Sequence, residues 1–133
     1  MRPSRTLLAL VALPAWLASA PAAACSCFPP EVRARTAQDA LDSARVAVFG
    51  RVLDVGDGGS VRILVLQSFK GVPIGSTLEA AQGPAECAAS SFVVGEEALV
   101  LSFADRVTAC DKHPPEHFLL EEFRLKAQRK AGP

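Results

Sequence analysis

The sequence predicts a mainly β domain, a closed sheet of five antiparallel strands flanked by α-helices. Two β-rich runs, Val46 to Val55 and Val61 to Phe69, face each other across the hairpin turn signal Asp57-Gly58-Gly59. Shorter runs follow at Thr77 to Ala80, Phe92 to Val94 and Ala98 to Phe103, each set off by glycine or proline. The chain has 133 residues, 50% apolar and 21% charged, which suits one small domain with a filled core. Multidomain, fibrous and disordered classes are excluded.

The elements follow in order. Residues 1–24 hold Arg2 and Arg5, the apolar stretch Leu7 to Leu13 and the small-residue ending Pro21-Ala22-Ala23-Ala24, the three parts of a secretory signal. Pro14 keeps the stretch short of the ~20 apolar residues that a spanning helix needs. Cleavage is expected after Ala24, making Cys25 the first residue of a secreted or periplasmic chain and residues 25–133 its single domain. A competing reading takes Ala22-Ala23-Ala24-Cys25 as a lipoprotein box in which the Cys25 sulfur is acylated. It leaves Cys27, Cys87 and Cys110 as an odd set where thiols tend to pair.

Behind Pro29-Pro30, the three and four spacings of Val32, Ala37, Ala40, Leu41 and Ala44 predict a helix over Glu31 to Ala44. Gly50 inside the first strand marks a bulge or a close backbone approach. The second strand is apolar on both faces in its middle, as a strand covered on both sides should be. Gly71 to Gly75 turns the chain into the third strand. His117 to Arg129 predicts a last helix with Leu119, Leu120, Phe123 and Ala127 inward. Its solvated face carries Glu121, Glu122, Arg124, Lys126, Arg129 and Lys130, the last two suiting a helix C-terminus. Phe49, Phe69, Phe92 and Phe103 are assigned to the core. A five-stranded closed unit of this length fits an OB-fold barrel.

Without Arg2 and Arg5 the chain holds 12 basic and 14 acidic residues, and it has no Tyr, so neither nucleic acid nor an anionic membrane is an expected partner. No motif of a hydrolase, kinase, metalloprotease or dinucleotide-binding enzyme is present, and no enzyme and no cofactor are expected. Cys110, His113 and His117 could be read as metal ligands, but Pro114-Pro115 breaks the helix that would align the histidines. Two surface loop histidines and no resident metal are expected instead. The Cys25-Ser26-Cys27 pair lacks the βαβ setting of a redox motif. Four cysteines allow three pairings, and a Cys25–Cys27 ring would be very tight. Both therefore reach downstream, to Cys87 and Cys110, and fasten the N-terminus to the body.

The start Cys25-Ser26-Cys27-Phe28-Pro29-Pro30 resembles the opening of the tissue inhibitors of metalloproteinases, whose N-terminal domain is a netrin-like OB barrel. Asp42 to Val52 resembles that family's first strand, and Phe69-Lys70-Gly71 resembles the strand-end motif of netrin-like domains. The resemblance runs from Cys25 to about Cys110. It implies disulfides Cys25–Cys87 and Cys27–Cys110, and a monomer that inhibits a zinc metallopeptidase through Cys25. By the same resemblance Ser26, Cys27, Phe28 and Pro29, with Glu86 and Ala88, would contact the protease. The sequence departs from the animal inhibitors in lacking a third disulfide and the C-terminal domain, and in its tight Asp57-Gly58-Gly59 connection.

The chemistry is independent of the family name. A free α-amine has a pKa near ~7.7 to 8.0, so part of it is neutral at pH 7 and can bind zinc. With the Cys25 carbonyl oxygen it forms a five-membered chelate in the position where a catalytic zinc keeps its water. The alternative function is a non-inhibitory netrin-like interaction module, tethered to a membrane if Cys25 is lipidated.

Overall fold

In a computed structural model of the chain, residues 36–83 and 91–132 are described. They form a mainly β structure of one five-stranded sheet and two helices. Helix α1 (Ala37–Ser43) leads into β1 (Val46–Val55), β2 (Ser60–Lys70) and β3 (Thr77–Ala81). Strand β4 (Glu97–Ser102), a 3-10 turn (Ala109–Asp111), β5 (Lys112–His113) and α2 (Phe118–Lys130) complete the described chain. The strand order is β3-β2-β1-β4-β5, and every neighbouring pair is antiparallel.

The long hairpin forms where the pattern places it, with Val55 opposite Val61 and the Gly56 N–H donating to the Ser60 carbonyl at 2.7 Å. Register shifts beside Gly50 mark the expected irregularity. A Cβ on Gly50 would lie 2.6 Å from Ile63 Cγ2 and 2.7 Å from the Leu64 carbonyl oxygen, so the close approach of β1 and β2 requires glycine.

Side chains alternate between two cores because β-strands have a period of two. Val48, Val52, Val61, Ile63, Val65 and Val100 enter one, together with Phe92 and Val107. Ala47, Phe49, Leu99 and Leu101 enter the other, beneath the helices. The small residues Ala37, Ala40 and Ala44 seat α1 against this second face, while Leu119, Leu120 and Phe123 seat α2. This accounts for the two-sided apolar middle of β2. All four expected core phenylalanines pack inside, Phe49 and Phe92 buried, Phe69 and Phe103 partly so.

Four expectations are corrected. First, α1 begins at Ala37 rather than Glu31, because Thr36 is its N-cap and its hydroxyl accepts from the Asp39 N–H at 3.2 Å. Second, Phe92 to Val94 is no strand. The Gln82 side chain takes both backbone bonds of Phe92, and the fifth strand is Lys112–His113. Third, the ladder is not closed. The edge strand β3 does not pair with β5 and makes one parallel bridge, Ala81 with Thr108 ahead of the 3-10 turn, in which the Ala81 N–H donates to the Val107 carbonyl at 2.9 Å. Strand β5 is too short to extend that pairing, and Pro114, which has no N–H, follows it directly. Fourth, α2 is less uniformly solvated than its pattern suggests. Arg124 lies 5.0 Å from the Phe49 ring centroid and donates to Gln67 Oε1 at 2.8 Å, Lys126 donates to Gln38 Oε1, and Ala127 is exposed.

Phe69-Lys70-Gly71, at the end of β2, is held by two local constraints. Lys70 Nζ donates to the carbonyls of Leu41 at 2.7 Å and Asp42 at 3.0 Å, near the end of α1. Gly71 has φ +91°, and a Cβ there would overlap the Arg45 carbonyl oxygen.

Candidate functional site

Of the residues expected at the site, Cys25, Ser26, Cys27, Phe28, Pro29, Glu86, Cys87 and Ala88 lie outside the described residues. Cys110 is described, half-buried in the 3-10 turn, and is not a free thiol. The rim of the sheet around this turn is the candidate site.

Three residues, Gln82, Lys112 and Glu96, build the rim. The Gln82 side chain closes a clasp on Phe92: its Nε2 donates to the Phe92 carbonyl at 3.0 Å and its Oε1 accepts from the Phe92 N–H at 2.7 Å. Its backbone N–H donates to the Gly59 carbonyl at 2.7 Å, which fixes the clasp to the β1–β2 hairpin. Lys112, next to the 3-10 turn, donates to the Ser91 carbonyl and to Glu96 Oε1, the latter at 3.0 Å. Glu96 Oε1 also accepts from the Val93 N–H at 2.8 Å. With the Ala81–Thr108 bridge, these bonds gather residues 82, 91, 92 and 107–112 at one place.

Thr108 and Asp111 close the 3-10 turn as a capping box, the Thr108 N–H donating to Asp111 Oδ2 at 2.8 Å. Burial pushes the Asp111 carboxyl up, and bonds from Thr108 and Ser102 pull it partly back. The Thr-x-x-Asp spacing was the available sequence signal for this turn. For the Gln82 clasp and Lys112 there was none, since each acts over ten residues or more.

The histidines are not surface loop residues. His113 belongs to β5 and is half-buried, with its ring centroid 4.6 Å from that of His117. His117 is the N-cap of α2, its Nδ1 accepting from the Leu119 N–H at 3.3 Å, and it stacks on Phe118. Burial, and then the neighbouring His117, hold the His113 pKa down to about 4. Burial lowers that of His117 as well.

A pH dependence follows. The folded His113 pKa lies below its ordinary 6.5, so the unfolded chain binds the proton more readily. Its contribution is intact above pH 6.5 and drains away as pH falls toward 4. The loss is on the order of 2 kcal/mol after allowance for partial exposure. Denaturant unfolding at pH 7 and pH 4.5 should show it, and His113→Phe should flatten the difference. An unchanged slope in the variant would place the acid sensitivity elsewhere.

Among the described residues no group of three or more His, Cys, Asp or Glu could hold a metal, and no helix is long and apolar enough to cross a membrane. Comparison with known proteins finds no matching family model, no matching curated protein and no matching solved structure.

Proposed function

We propose that the chain is an exported, netrin-like inhibitor of zinc metallopeptidases that acts through Cys25. The Cys25 α-amine and carbonyl oxygen chelate the target's zinc and displace the water that would attack the substrate. Disulfides Cys25–Cys87 and Cys27–Cys110 hold this first residue in place, so little conformational freedom is lost on binding. Ser26, Cys27, Phe28 and Pro29, with Glu86 and Ala88, form the contacting wedge.

The observation that supports this reading best is the gathering at the rim. The Gln82 clasp brings together the two sides of the segment that carries Glu86, Cys87 and Ala88, and Lys112 ties Ser91 to the strand that follows Cys110. The described residues on either side of Cys87 in the chain thus lie beside the turn that holds Cys110, which supports a pairing of both downstream cysteines with the N-terminus. The strand order with its parallel Ala81–Thr108 bridge is compatible with a partly open OB barrel.

The test is the mass of the exported protein's N-terminus combined with titration against a panel of zinc peptidases. A free amine on Cys25 and stoichiometric inhibition of at least one peptidase are expected. An acylated or extended N-terminus, or a free one that inhibits none, would sink the inhibitor and leave the interaction module standing.

A further inference from the structure

A second feature lies away from the rim, between α1, α2 and the end of β2. There a groove of about 800 Å³ is lined by apolar Leu41, Phe69 and Phe123 and by cationic Lys126, Arg129 and Lys130. Leu41 and Phe69 are half-buried and supply the apolar wall, while Phe123 is 1% exposed and backs Phe69, with ring centroids 5.3 Å apart. Arg129 and Lys130 are exposed at the mouth. No Asp or Glu lines the groove, and among the described residues no carboxylate pairs with Arg129 or Lys130. Their position in the last turn of α2 suits the helix dipole, but that does not account for an open apolar cleft beneath them.

We propose that this groove binds a single-chain amphiphile with an anionic head, a fatty carboxylate, its chain against Leu41 and Phe69 and its head between Arg129 and Lys130. Charge complementarity selects the head, since a neutral or cationic one would leave the paired cations unanswered. The size selects the body. The volume falls within the ~300 to 1,000 Å³ of small-ligand pockets.

The experiment titrates dodecanoate, below its micellar concentration, into the exported protein, followed by calorimetry and amide NMR shifts. Saturable one-to-one binding is expected, with shifts centred on Leu41, Phe69 and α2. Dodecyltrimethylammonium, with a similar chain and the opposite head, should bind at least about tenfold more weakly. Arg129→Gln with Lys130→Gln should weaken dodecanoate about tenfold, the worth of two exposed ion pairs. Ala127→Trp, at an exposed position in the lining, should remove binding while leaving the melting temperature near that of the parent. The proposal is overturned by absence of saturable binding, by shifts centred elsewhere, or by variants that bind as the parent does. Binding of an acidic peptide in place of dodecanoate overturns it too.

Discussion

One alanine added ahead of Cys25 is expected to leave folding intact and to abolish inhibition of a susceptible zinc peptidase. Under the proposed mechanism the added residue turns the Cys25 α-amine into an amide nitrogen, whose lone pair is delocalised into its carbonyl and would not bind zinc. It also pushes new backbone into the position that the metal would occupy. Loss of roughly three orders of magnitude in potency, or about 4 kcal/mol, is the expected scale. The sheet should be indifferent, because its two cores draw on residues from Ala37 onward. Inhibition constants and melting temperatures measured side by side decide the matter. Equal potency with the added residue would refute the chelate, whereas a collapsed melting temperature would return the loss to folding.

The second large effect concerns Gly71. Gly71→Ala should destabilise the protein by about 3 to 4 kcal/mol, because two costs coincide there. The backbone is in the left-handed region at φ +91°, and a Cβ would run into the Arg45 carbonyl oxygen, where β2 ends beside the start of β1. Gly75 separates the two costs. It has φ +82° with nothing within 4 Å of its would-be Cβ, so Gly75→Ala should cost only about 1 kcal/mol. Urea unfolding of the two variants tests the contrast. Similar losses at both positions would mean that conformation alone, and no clash with Arg45, makes Gly71 necessary.

Much of the fold was legible because its signals are local. The β1–β2 hairpin follows from alternating β-formers around Asp57-Gly58-Gly59, and α2 follows from Leu119, Leu120 and Phe123 at helical spacing. Phe92 to Val94 misled for the opposite reason. Three good strand formers stand together, but a glutamine ten residues upstream takes the bonds that a neighbouring strand would have supplied. Lys112–His113 has no strand pattern and is ordered by pairing with Val100 and Leu99. For α1 the Thr36-x-x-Asp39 signal was present, and the prolines at 29 and 30 drew the expected start too early. Of the rim, the turn was legible as the Thr108-x-x-Asp111 spacing, while the Cys-x-Cys motif lies outside the described residues. The Gln82 clasp and the Lys112 tether were not legible, because side-chain to backbone bonds across the chain leave no period in the sequence.

The Gln82 clasp has a consequence for variation. A side-chain amide that bonds both backbone groups of Phe92 fixes residues 82 and 92 to each other across ten positions of sequence. Lengthening the stretch between them, with Cys87 kept, should cost the sheet little, since loop closure grows only with the logarithm of length. Variation between those two positions is then tolerated by the sheet for as long as Gln82 stays.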